Sequence, residues 1–235
     1  MIPLRDDNPR RTVPVVNVIL IIVNVLMFLW ELSLGRNIER ALFQVAFIPR
    51  HFWAPGHLAA EMTSIFVSMF LHGGLLHLGG NMLYLWIFGD NIEDRLGHFR
   101  YLIFYLACGF IATMSHALAN PSSSVPSIGA SGAIAGVLGA YLILFPHARV
   151  LTVIPIVVFI TVREIPAIIV LGLWFVLQLF TGVGSVGAVD DTAGGVAYFA
   201  HIGGFVAGML LVFVFGGRRP RPPARREVAY RDFMN

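Results

Sequence analysis

Five polar side chains stand inside otherwise apolar stretches of the sequence: His72, His77 and Asn81 in one stretch, Ser131 in a second and His201 in a third. Polar groups are costly to place in such surroundings, so their presence points to function. A serine hydroxyl becomes an effective nucleophile when a base takes its proton. A neutral histidine can be that base and, once protonated, can return the proton to a leaving amine. Ser131 and His201 are therefore the candidate nucleophile and base of an acyl-transfer reaction. The negative oxygen formed during attack on a carbonyl needs donors, for which the Ser131 backbone N–H, an Asn81 amide N–H and a His77 ring N–H are candidates. A helix starting near Ser131 would add unpaired backbone donors and a favourable field. Asn81 follows His77 by four residues, which puts both on one side of a helix. His72 is less well aligned with them and is read as a packing or hydrogen-bonding residue.

No acidic residue is expected at matching depth to orient His201. Asp190 and Asp191 precede the last apolar stretch among Gly187, Thr192, Gly194 and Gly195, a composition that suggests a solvated loop. The expected mechanism is thus a Ser-His dyad. Metal chemistry is not expected: no His-Glu-x-x-His sequence occurs, and His72, His77 and His201 form no recognised ligand pattern. No cofactor is implied. Cys108, the single cysteine, can form no internal disulfide and reads as a buried, inert thiol.

The elements that must carry these groups are apolar helices. Of 235 residues, 57% are hydrophobic and 12% charged, with a mean hydropathy of +0.78. A soluble domain carries about twice that charged fraction. A helix needs about 20 residues to cross the hydrocarbon layer, and suitable stretches occur at 12–30, 65–89, 101–118, 130–146, 165–189 and 192–217. The expected fold class is all-α: a polytopic membrane protein with a compact bundle of six transmembrane helices. Its divisions are a cytoplasmic arm at 1–12, a membrane domain at 13–217 and a basic cytoplasmic tail at 218–235. The segment 150–162 contains Pro155 and is short for a crossing, so it is expected to be interfacial or re-entrant.

All 16 basic residues counted as Lys+Arg are arginine. Six spans put Arg36, Arg40 and Arg50 on one side and the others, including the run from Arg218 to Arg226, on the other, which places both termini in the cytoplasm. The arginine-rich tail reads as a topology and anionic-lipid signal, and no nucleic-acid partner is expected. Spans two, four and six then start at the extracytoplasmic side, so His77, Asn81, Ser131 and His201 share the outer part of the membrane. Small residues recur every four positions at Ser131, Ala135 and Gly139 and at Ala200, Gly204 and Gly208, the pattern that lets helices approach closely in lipid. Phe43, Phe47, Phe52 and Trp53 give the loop from Glu31 to about Ser64 the aromatic character of an interfacial element.

Together these residues resemble the rhomboid family of intramembrane serine proteases. Gly129-Ala130-Ser131-Gly132 is similar to its GxSG motif, and the run from Ala200 to Gly208 is similar to its AHxxGxxxG motif. The stretch from His72 to Asn81 resembles the family's second-span pattern, and Gly89, Glu93 and Gly97 resemble the turn after it. The outer loop lacks the Trp-Arg pair of many relatives, with Glu39-Arg40 only a partial echo. The resemblance implies Ser131 as nucleophile, His201 as base, His77 and Asn81 as oxyanion donors and His72 in support. It also implies single-span or other membrane-anchored protein substrates, entering laterally near the fifth span. A non-proteolytic relative that binds membrane clients is the alternative. The expected location is a prokaryotic plasma (inner) membrane, with the active site toward the extracytoplasmic side.

Overall fold

The computed structural model describes residues 1–156, 159–184 and 197–216. Asp190, Asp191 and the arginine-rich tail from Arg218 lie outside them. The body is mostly helical: α1 (Val15–Ser33), α2 (Ile38–Val45), α3 (Pro49–Phe52), α4 (Leu58–Ser68), α5 (Leu75–Leu96), α6 (His98–Ala119), α7 (Ser131–Leu144), α8 (Ala167–Gly184) and α9 (Tyr198–Val214).

The polarity of α1 is inverted relative to a helix of a water-soluble protein. Asn17, Asn24 and Glu31, spaced by seven residues, are buried, while Ile19, Ile22, Leu26 and Leu29 are exposed. Exposed apolar residues continue around the body at Ile103, Leu177, Phe180, Leu210 and Val214. So extensive an apolar outer surface suits lipid as its solvent, and satisfied polar groups can then face inward. The protein is membrane-associated.

Two described helices, α1 and α6, are long and apolar enough to cross a bilayer, fewer than the six expected. The difference has local causes. Asp90, Glu93, Asp94 and Arg95 end α5 with charge, while α7 has 14 residues and α9 has 17.

Glu93 joins the first helix to the body. Its carboxylate accepts the backbone N–H groups of Val16 and Asn17 at 2.9 and 2.7 Å. These belong to the first turn of α1, where helix donors lack intrahelical partners, so a residue of α5 caps α1 from a distance. Asp94 accepts Thr12 N–H and its hydroxyl at 2.9 and 2.7 Å. Asn17 in turn donates to Leu85 O and accepts Tyr101 O–H. Gly89 has to be glycine there, because a β-carbon would overlap Asn17 Oδ1. Gly97, at φ +83°, makes the turn between α5 and α6.

At the centre stands α7, buried at every residue from Gly132 to Tyr141. Its glycines remove the side chains that would hold α6 and α9 away. A β-carbon on Gly136 would overlap the Cys108 side chain of α6; one on Gly139 would overlap Phe205 O of α9. From the α9 side, Gly204 and Gly208 meet Gly132 O and Gly136 O in the same way. Cys108 is buried at this contact as a free thiol.

The expectation of an all-helical chain fails on one face. Within 150–162 the described residues, 150–156 and 159–162, are extended: they belong to an antiparallel hairpin of β2 (Arg149–Ile156) and β3 (Phe159–Pro166). An earlier strand, β1 (Ile2–Asp6), pairs antiparallel with β2, giving the order β1-β2-β3. Val150, Val153, Ile154, Ile160, Thr161 and Val162 favour extended backbone because their branched β-carbons fit a pleated surface. Pro155 sits near the hairpin's tip, opposite Ile160. Asp6 ties this sheet to the helices by accepting Tyr141 O–H and an Asn91 amide N–H.

Two measurements follow from these contacts. Gly208→Ala is expected to lower stability by about 1–3 kcal/mol through overpacking, whereas Gly172→Ala, inside α8 with open space around it, is expected to leave stability unchanged or raise it by up to about 1 kcal/mol; thermal unfolding in detergent compares them. Burial, opposed by the Tyr141 hydrogen bond, raises the Asp6 carboxyl to about 6. The folded state thus favours protonated Asp6, a contribution present below the ordinary carboxyl range and lost as pH rises through about 6. Unfolding midpoints of the natural chain should therefore fall between about pH 4 and 6 relative to Asp6→Asn.

Candidate active site

Ser131 is the first residue of α7 and His201 lies in the first turn of α9. The close packing of those helices brings Ser131 Oγ to 2.8 Å from His201 Nε2. Ser131 is half-buried and His201 is 8% exposed. Its other ring nitrogen, Nδ1, is 2.7 Å from Oε1 of Gln178 on α8. Trp174, one turn earlier on α8, lies against the imidazole with ring centroids 5.8 Å apart. The base is thus held between a hydroxyl, an amide and an indole.

The turn before Ser131 is built around His77. Gly129 has φ +125°, a conformation L side chains rarely adopt, and a β-carbon there would lie 2.9 Å from His77 Cε1 and Nε2 and 3.5 Å from Ser131 Oγ. His77 Nε2 and the Ser131 hydroxyl therefore border the same small space. Gly73 N–H approaches His77 Nδ1 at 3.4 Å. An Nδ1 that accepts leaves the ring proton on Nε2, facing that space.

Asn81, one helical turn beyond His77 on α5, is buried, and its amide nitrogen has no hydrogen-bond partner. A buried donor without a partner is costly. His72 is buried in the segment entering α5. Its ring packs edge-on against His77, with centroids 5.1 Å apart, and its Nδ1 is 3.3 Å from Phe70 O. The sequence-based cluster thus divides into the pair Ser131–His201, a neighbouring His77 and Asn81 on α5, and His72 behind His77.

Residues that sequence reading missed hold this arrangement. Glu31, expected to open the outer loop, is buried at the end of α1 and accepts His72 N–H at 3.0 Å. Ser68 O accepts Gly129 N–H at 2.9 Å, while Ser68 Oγ accepts Phe47 N–H at 2.6 Å. Phe47 also forms a β-bridge with Ser127, and Glu61 accepts Ile48 N–H at 3.2 Å. The loop from Glu31 to about Ser64 is therefore fastened through backbone groups. Gln178 had a visible signal, as the only polar side chain in an apolar run from Ala167 to Phe180. Among the described residues, no group of three or more His, Cys, Asp or Glu side chains could hold a metal ion.

Fold and site define a membrane-associated helical protein carrying the geometry of a Ser-His catalytic dyad. The Rhomboid domain model matches residues 59–218, and the chain belongs to the rhomboid family. It is 34% identical over 155 residues to RHOMBOID-like protein 1 of Arabidopsis thaliana, a match covering 66% of this chain and 35% of that protein. Identity is 30% over 168 residues to Rhomboid protein 1, mitochondrial, of Saccharomyces cerevisiae, covering 70% of this chain and 45% of the relative. Identity to Rhomboid protease GluP of Bacillus subtilis is 40% over 82 residues, 35% of this chain and 16% of that protein. The matched regions thus span less than half the length of each of these relatives.

Gly129→Ala tests the shape of the turn. It is expected to slow labelling of Ser131 by a fluorophosphonate roughly ten- to a hundredfold, through backbone strain and displacement of His77, while circular dichroism remains that of the natural chain.

Proposed function

We propose that the chain is an intramembrane serine endopeptidase that cleaves membrane-anchored proteins through a Ser131–His201 dyad. The observation that carries this reading is the 2.8 Å contact between Ser131 Oγ and His201 Nε2. His201 Nε2 takes the hydroxyl proton as Oγ attacks the scissile carbonyl carbon. The tetrahedral oxyanion is stabilised by the Ser131 backbone N–H, the Asn81 amide and the His77 Nε2–H, with His72 supporting His77. Collapse breaks the C–N bond, and imidazolium gives its proton to the leaving amine. Water, deprotonated by His201, then cleaves the acyl-enzyme ester and restores the hydroxyl.

The membrane arrangement we propose is a bundle of six spans in residues 13–217, with an arm at 1–12, a tail at 218–235 and both termini in the cytoplasm. Support comes from the pairing of β1 with β2, since the residues on either side of that pairing share one face of the protein, and from the arginine distribution. Short α7 and α9 suit this reading, because a helix beginning at a water-accessible site below the outer surface needs fewer residues to reach the other side. Substrates would be single-span or similarly anchored proteins, and the bilayer a prokaryotic plasma membrane with the active site facing outward. A bacterial protein named as a rhomboid protease is among the relatives.

The test is cleavage of a panel of single-span substrates in proteoliposomes by the natural chain, Ser131→Ala and His201→Ala. Cleavage by the natural chain should fall by at least about a thousandfold in either variant. Equal cleavage by all three sinks the mechanism.

A further inference from the structure

A dyad needs one tautomer of its histidine. To accept the serine proton, neutral His201 must keep Nε2 unprotonated, which requires its proton on Nδ1. Where no carboxylate holds that N–H, some other acceptor must select the tautomer. Gln178 Oε1, 2.7 Å from Nδ1, is such an acceptor. A carbonyl oxygen cannot donate, so this contact is a hydrogen bond only when Nδ1 carries the proton. Nε2 is then an acceptor, and the Ser131 hydroxyl, 2.8 Å away, donates to it. The two contacts on opposite sides of the ring thus agree on one proton arrangement.

We propose that Gln178 is a positioning residue that fixes the tautomer and ring orientation of His201, completing a Ser131–His201–Gln178 relay of hydrogen bonds; this rests on the proteolytic reading above. The surroundings explain the choice of an amide. Gln178 lies in a helix whose neighbouring residues Val176, Leu177, Leu179 and Phe180 are exposed and apolar, where an ionised carboxylate would carry a large desolvation cost. An amide offers the same acceptor oxygen without a charge. Trp174 confines the ring from the same helix, and Phe175 stacks on Phe205 of α9 with centroids 4.6 Å apart. The nucleophile and base therefore ride on α7 and α9, and the groups that orient the base ride on α8.

The experiment compares the natural chain with Ser131→Ala, Gln178→Met and Gln178→Glu in proteoliposomes. Methionine preserves length and volume but lacks the carbonyl acceptor, whereas glutamate, held neutral by the same apolar surroundings, keeps one. Expected is a roughly tenfold lower kcat with unchanged KM in Gln178→Met, the scale of one neutral hydrogen bond, and recovery of most of that loss in Gln178→Glu. Heteronuclear NMR of the imidazole nitrogens, with the His201 signal assigned by its loss in His201→Asn, should report Nδ1–H in the natural chain and in Gln178→Glu and a loss of that preference in Gln178→Met. An unchanged tautomer in Gln178→Met, or an unchanged kcat while the natural chain cleaves and Ser131→Ala does not, overturns the role of Gln178. Cleavage that survives Ser131→Ala instead defeats the proteolytic reading, and the NMR comparison still decides whether Gln178 sets the tautomer.

Discussion

The close approach of α7 and α9 is the constraint on which the site depends. Neither Ser131 nor His201 has a long side chain, so their hydrogen bond requires two helix backbones nearly in contact. Gly204 and Gly208 place α9 against the carbonyls of Gly132 and Gly136, and Gly139 receives Phe205 O from the other side. Lipid supplies little hydrophobic force between helices, so dispersion at such intimate surfaces has to hold them together. Packing and chemistry are served by the same residues: the contact that stabilises the bundle also sets the 2.8 Å separation of hydroxyl and imidazole.

A second layer of order comes from polar groups turned inward. Glu93 completes the first turn of α1, and Asn17 links α1 to α5 and α6 through Leu85 O and Tyr101 O–H. Glu31 reaches from the other end of α1 to the backbone of His72, whose ring packs against His77. In a solvent that offers no competing hydrogen bonds, such contacts provide direction that apolar packing lacks. Helix α1 contributes no group to the dyad, yet it steadies the segment from which His77 and Asn81 project.

The helical body and the Ser131–His201 pair were legible because both depend on local pattern. Apolar stretches mark helices, and small residues every fourth position mark a close contact. The hairpin at 149–166 was harder to read, since its partner strand lies near the other end of the sequence and a short apolar run has no distinctive period of its own. Glu31 was misplaced because a charge conventionally ends an apolar span; nothing local reveals that a distant backbone N–H will satisfy it. Gln178 was overlooked although it was the lone amide in an apolar helix, the same signal that singled out Asn81. The difference is that Asn81 had His77 one turn away, whereas the partner of Gln178 belongs to another helix.

The clasp between β1 and β2 also orders events during synthesis. Ile2 pairs with Val153, so the first strand leaves the ribosome with its partner not yet made. At ~5–20 residues per second the wait is roughly 8 to 30 s. Throughout that interval Ile2 and Leu4 lack their strand partner, and an apolar segment with unpaired backbone groups invites association with other chains. Arg5, Asp6 and Asp7 supply charge beside those apolar residues, and charge at an open strand edge discourages such association. The sheet can close only after α7 has been made, and it can do so while α8 and α9 are still to come.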